Sequence, residues 1–221
     1  ELPLLEPTSV SDARAVVRWA FQLSEEVGLP IIVRVTRALV LAETQTLEVS
    51  ENFQSLPPPS FQREFMRWVV LPINVVPYHH RLLKQLDDIR ARFEESRFNE
   101  IEGKGPQGVI AVGFTYQKLV DLLNDTLLPE LCVLRLGTFH PLPEGQVTTF
   151  LQAVESALVL EETAPLVEGA VRAIAQEAGL TLPSYGRDAG HVPRAGELFA
   201  PHIADALNRF LPSLALSTKG E

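Results

Sequence analysis

A chain of 221 residues with 46% hydrophobic and 21% charged residues has enough apolar sequence to bury a substantial core and is not disordered as a whole. Nineteen Lys and Arg against 28 Asp and Glu leave a net charge of −9, which repels phosphate backbones; with no Lys/Arg-rich run, no nucleic-acid role is expected. A single cysteine, Cys132, excludes an internal disulfide, a Cys-built zinc site and a cysteine-ligated iron–sulfur cluster made within this chain, and a reducing cytoplasm is the expected compartment.

The opening Glu1 to Pro7 is acidic, and its apolar run is too short for a signal peptide. The lack of an initiator Met predicts a trimmed or processed piece. Ser9-x-x-Asp12 approximates a capping box, and Val16, Ala20, Leu23 and Val27 recur at helical spacing, with Val17 and Phe21 widening the stripe. Gly28 stops this helix and Pro30 cannot continue it. Ile31 to Val35 reads as a β-branched strand of the buried parallel kind, so the segment is half of an α/β unit with no preceding strand recognised.

Residues 40 to 76 read as irregular. Thr44 to Val49 suits a short strand and Leu56-Pro57-Pro58-Pro59-Ser60 a stiff extended linker. Phe61, Phe65, Met66, Trp68, Val69 and Val70 make an apolar connector that is expected to pack on something. Pro77 suits the start of a long helix over Tyr78 to Phe98, ended by Glu102-Gly-Lys-Gly-Pro106. From residue 107 the pattern alternates. Strands are predicted over Gly108 to Val112, Leu131 to Leu136 and Ala157 to Leu160, and helices over Thr115 to Leu127, Pro143 to Val154, Thr163 to Gly179 and Glu197 to Phe210. Such alternation predicts a three-layer α/β/α fold around an open, mostly parallel sheet, with a fraying tail from Ser217. No apolar run approaches the roughly 20 residues that cross a bilayer, so no membrane is expected.

Few residues carry chemistry on their own. Gly103-Lys-Gly-Pro-Gln-Gly108 spells a dinucleotide-binding string, but it precedes a strand instead of joining strand to helix, so it reads as a turn. Gly113-Phe-Thr-Tyr116 is better placed, because helix N-terminal amides at the carboxyl end of a strand can hold an anion or carboxylate. The bland alternative is a tight turn at Gly113 with Thr115 capping its helix. His140 follows the second regular strand near the crevice where open sheets bind ligands, without a second metal ligand at useful spacing. Glu161 and Glu162 close the third strand; as neighbours they diverge and do not form an acid/base dyad, although Glu162 can face the crevice. His79-His80 diverge around a helix, and Asn124-Asp-Thr126 is a sequon without a secretion signal. No nucleophile elbow, HExxH or Walker A motif is present.

In order and spacing, several segments resemble one family. Leu4-Leu-Glu-Pro-Thr-Ser9, Leu23-Ser-Glu-Glu-Val-Gly-Leu-Pro30 and Ile31-Ile-Val-Arg-Val-Thr36 resemble the close of the pyrimidine-binding domain of the indolepyruvate:ferredoxin oxidoreductase large subunit, within the thiamine-dependent 2-oxoacid:ferredoxin oxidoreductases. Leu71 to Glu102 resembles its interdomain helix. Val109 to Tyr116, Leu134 to Pro143, Val159 to Pro165 and Val192 to Leu198 resemble its transketolase C-terminal-like domain. The resemblance divides the chain into 1–45, 46–104 and 105–221. It implies a parent enzyme that oxidatively decarboxylates arylpyruvates to acyl-CoA with thiamine diphosphate, magnesium and four-iron clusters, partnered by a small subunit, ferredoxin and CoA. The chain lacks the family's G-D-G and Cys-x-x-Cys motifs, carries Ala38 to Ala42 where a His-bearing turn is usual, and has His140 where an aromatic residue is common. A non-catalytic structural segment is therefore expected, with no cofactor or metal held in this chain. The alternatives are a small-anion or CoA-binding crevice around Gly113, Thr115, His140 and Glu162, or an assembly domain covering Trp19 and Trp68 in an oligomer.

Overall fold

In the strand Gln107–Val112, Val109 and Ala111 belong to one apolar cluster and Ile110 and Val112 to another, and all four are buried. A strand apolar on both faces must be covered on both, and this one lies at the centre of the molecule. The computed structural model describes residues 2–43, 63–124 and 128–216. In chain order these form β1 (Leu4–Leu5), α1 (Val10–Val27), β2 (Ile32–Val33), α2 (Arg37–Leu41), α3 (Phe65–Trp68), α4 (Pro72–Glu94), β3 (Asn99–Gly103), β4 (Gln107–Val112), α5 (Thr115–Leu122), β5 (Leu131–Leu136), β6 (Thr138–His140), α6 (Glu144–Ala153), β7 (Ser156–Leu160), α7 (Leu166–Glu177), β8 (Ser184–Tyr185) and α8 (Ala200–Phe210).

The main sheet has the order β3-β5-β4-β7-β8, with β3 antiparallel and the others parallel. Val147, Phe150 and Leu151 of α6 and Val167, Val171 and Ile174 of α7 cover one face, and Leu119 of α5 with Ile203, Ala206 and Leu207 of α8 the other. This is the expected three-layer α/β/α arrangement. The chain leaves β4 for β5 on one side and returns to β7 on the other, so the strand order reverses at β4. In open sheets that reversal places a ligand crevice at the strands' carboxyl ends.

A smaller sheet, β2-β1-β6, joins the N-terminal segment to the main body. β1 runs parallel to β2 and antiparallel to β6, with Leu4 opposite His140. Below it, Leu5, Val16, Ala20 and Leu23 pack with Ile89, Phe93 and Phe98 in a third cluster, against which Trp19 lies. The α1 capping box is present, with Ser9 Oγ accepting from Asp12 N at 3.2 Å and Asp12 Oδ1 from Ser9 N at 3.1 Å, and Gly28 closes the helix in the left-handed region at φ 68°.

Several expectations are corrected. The strand expected over Ile31 to Val35 shrinks to Ile32–Val33 and is an edge strand, with Ile32 exposed. Its partner β1, two residues long, offers no periodic signal. The long helix starts at Pro72 and carries Pro77 inside it, and it stops at Glu94 so that Asn99–Gly103 forms an edge strand where the sequence reads as helix and turn. Phe65, Met66 and Val70 are largely exposed. The helix expected from Thr163 begins at Leu166, and Thr163 itself lies in the left-handed region at φ 75°. The strand over Thr44 to Val49, the proline linker, Phe61 and the tail from Ser217 lie outside the described residues.

Asn99 ties these parts together. Its buried side chain donates to Phe93 O at 2.9 Å and Thr138 Oγ1 at 2.7 Å and accepts from Gly137 N at 3.0 Å and Thr138 N at 3.1 Å. Asn99→Ala strips partners from several buried groups, and urea unfolding should show a loss of about 2–4 kcal/mol. A change near zero would mean that this node does not hold the junction.

Candidate functional site

The carboxyl edge of the main sheet is formed by Gly113 after β4, Gly137 after β5 and Glu161-Glu162 after β7. Gly113 has φ 56°, and a Cβ built on it would lie 2.1 Å from Cδ of Glu6. The turn at the reversal point is therefore shaped around the chain's own carboxylate. Glu6 Oε1 accepts from Phe114 N at 3.2 Å, while Glu6 N donates to Gly137 O at 2.8 Å. Arg34 donates from Nε to Glu6 Oε2 at 2.6 Å, pairs with it again through Nη2, and lies 4.7 Å over the Phe139 ring. Glu6 is 1% exposed. Burial pushes its carboxyl above the ordinary 4.5, outweighing the attraction of Arg34 and the Phe114 N–H, and the charge of Glu162 adds in the same direction.

Glu162 lies in a second clasp. It accepts from Lys118 Nζ at 2.6 Å and Leu198 N at 3.1 Å, and the same ammonium donates to Glu197 at 3.1 Å and Leu198 O at 2.8 Å. Lys118 of α5 and the segment before α8 are thereby fixed to the end of β7. Glu161 turns the other way and caps α7, accepting from Val167 N and Glu168 N at 2.9 Å each, and burial raises its carboxyl despite those bonds. The two carboxylates thus serve separate partners, as their adjacency requires.

Of the residues singled out by sequence, Gly113 and Thr115 share the β4–α5 turn, and Glu162 is close enough to Glu6 to shift its titration. Thr115 is buried with no hydrogen-bond partner on Oγ1 among the described residues, and the N-cap position belongs to Phe114, so the hydroxyl does not cap α5. His140 is exposed on β6, in the smaller sheet, and not on the strands that carry Gly113 and Glu162. His79 and His80 are exposed on α4. Sequence reading missed Glu6, Arg34 and Lys118 as members of this edge. Glu6 lies 28 positions from Arg34 and 108 from Phe114, so the one local signal is a carboxylate set between Leu5 and Pro7.

No protein-family profile matches the chain. It is 33% identical over 218 residues to indolepyruvate oxidoreductase subunit IorA of Pyrococcus abyssi, covering 95% of this chain and 33% of that protein. It is 34% identical over 205 residues to IorA of Methanothermobacter thermautotrophicus, covering 89% and 32%. Among solved structures, 2-oxoglutarate:ferredoxin oxidoreductase from Magnetococcus marinus, with 2-oxoglutarate, coenzyme A and succinyl-CoA bound, aligns with a TM-score of 0.59 at 12% identity over 94% of this chain and 42% of that one. The inactive beta4 tetramer of a split-gene transketolase aligns with a TM-score of 0.52 at 16% identity, covering 96% and 57%. The fold is thus that of a transketolase-like α/β segment, here with its sheet edge neutralised from within. Over nearly its whole length the chain is similar to one part of the IorA subunits of indolepyruvate oxidoreductases. It spans about a third of the length of the curated relatives it matches.

Glu6 yields a test with a definite sign. Its folded carboxyl takes up a proton at higher pH than the unfolded one, so stability falls as pH rises from 4.5 through the folded value and is level above it. Arg34→Met leaves a buried carboxylate without its counter-charge. Urea unfolding at pH 8 should show a loss of about 3–5 kcal/mol that shrinks towards pH 5 as Glu6 is neutralised. A loss independent of pH would exclude the ionisation of Glu6 as its source.

Proposed function

We propose that this chain is the structural segment of a thiamine-dependent 2-oxoacid:ferredoxin oxidoreductase acting on arylpyruvates, and that it takes no direct part in the chemistry. In this reading residues 1–45 close the pyrimidine-binding domain, residues 46–104 link the domains, and residues 105–221 form the transketolase C-terminal-like domain. The parent enzyme, in the cytoplasm, holds thiamine diphosphate, magnesium and four-iron clusters, passes electrons to ferredoxin and forms an acyl-CoA with its small subunit. Its remaining domains, that subunit and further copies are the partners of this segment.

The observation that carries the reading is the filling of the reversal-point crevice by Glu6. A diphosphate placed at the Gly113 turn would meet a carboxylate already bound to Phe114 N, and the first amides of α7 already serve Glu161. Cys132, buried in β5, is the chain's one cysteine, whereas a four-iron cluster takes four thiolates. Among the described residues no group of three His, Cys, Asp or Glu could hold a metal ion. These features favour a segment that positions neighbouring domains while other parts of the parent enzyme hold the prosthetic groups. The exposed Phe65, Val70, Ile73 and Val76 along α3 and the start of α4 favour a contact with other parts of the assembly.

Calorimetric titration tests this division of labour. Thiamine diphosphate with magnesium should give no binding heat with this chain and saturable heat with the full parent subunit. Tight binding by the chain alone would overturn the proposal. One observation favours a second reading, a small-anion or CoA crevice at Gly113, Thr115, His140 and Glu162: the buried Thr115 hydroxyl has no partner among the described residues. That reading requires thermal stabilisation by CoA that disappears in Thr115→Val.

A further inference from the structure

A groove of about 820 Å³ lies between α1 and the C-terminal end of α4, away from the sheet edge described above. Four arginines line it: Arg14 and Arg18 from α1, Arg92 from the last turn of α4 and Arg97 from the turn that follows. Glu95 is the one acidic side chain of the lining. In a chain of net charge −9 this is a concentration of positive charge against the prevailing sign.

The ordinary explanations account for only part of it. Arg92 donates to Glu26 at 2.5 Å and complements the C-terminal end of α4. Arg14 and Arg18 sit four residues apart, on one face of α1, a spacing at which like charges repel. Among the described residues Arg18 and Arg97 form no ion pair. Arg97 lies 5.1 Å over the ring of the buried Phe98, and beside it stands the half-buried Trp19. Trp19 is held at 5.8 Å from Phe93 and 5.4 Å from Phe98, and Trp19 and Phe98 both line the groove.

Guanidinium groups bind phosphate oxygens two at a time, and a fixed indole face stacks a nucleobase whatever its hydrogen-bonding edge. The groove volume lies within the 300–1,000 Å³ typical of small-molecule sites. We propose that this groove is a nucleotide site that takes a nucleoside diphosphate, with its phosphates between Arg18 and Arg97 and its base on Trp19. An acidic peptide would satisfy the charges but would give the ring no role. The inference does not rest on the scaffold reading, because it concerns a different face and requires no catalysis.

The chain has two tryptophans, so Trp68→Phe leaves Trp19 as the one indole reporter. Titration of that variant with ADP should quench its emission saturably below about 1 mM. Adenosine or pyrophosphate alone should bind more weakly, and added salt should weaken ADP binding. Arg18→Gln with Arg97→Gln should raise the dissociation constant at least about tenfold, with an unchanged circular dichroism spectrum because both side chains are exposed. The proposal is overturned if ADP causes no saturable change, if the double variant binds as the parent does, or if pyrophosphate binds as tightly as ADP while Trp19 emission stays constant.

Discussion

A carboxylate buried at 1% exposure must have partners, and the way Glu6 finds them organises the molecule. One oxygen faces a backbone N–H at the end of the central strand, and the other faces a guanidinium from the far end of the N-terminal unit. Glu6 therefore brings β1 against β6, seats Arg34 over Phe139, and occupies the place at which an open sheet would hold a ligand. Joining of the two sheets and closure of the crevice come from the same three groups.

The same device recurs along this edge. Glu161 serves the first amides of α7, Glu162 serves Lys118 and Leu198 N, and the buried Glu168 accepts from Arg187 N and Asp188 N. Each carboxylate is taken out of water and given a cation, a pair of amides or both, which is the condition under which a buried charge is tolerated. A chain rich in acids thus uses some of them as internal caps and ties. Arg34, Arg172 and Arg187 serve such ties, and four other arginines line the α1–α4 groove.

The three central strands of the main sheet were legible in the sequence. The runs Leu131 to Leu136 and Ala157 to Leu160 are apolar on both faces and bounded by turns, and they appear as β5 and β7 with at most one residue of difference. Tertiary context decided what was not legible. Leu4–Leu5 is too short for any period and becomes a strand through its neighbours β2 and β6. Asn99–Gly103 has the mixed composition of a solvated helix end, yet pairs with β5 as an edge strand. At the candidate site, the Gly113 turn could be read as able to hold an anion or carboxylate; that Glu6 lies against it could not, because nothing local links positions 108 residues apart. Thr115 looked like a cap because hydroxyls usually are, but it is the first residue of α5, and the N-cap position falls on Phe114.

That separation also bears on the order in which the molecule can assemble. Every strand of the main sheet is drawn from residues 99 to 185, so this sheet can close with no help from the N-terminal segment. Bringing position 6 to position 114 closes a long loop, whose entropy must be spent before the contact returns anything. While it waits, the glutamate is an ordinary hydrated side chain; on arrival it sheds its water in the company of an arginine that travels with it on the same unit. The first strand is therefore a latch that shuts last, on a body already formed.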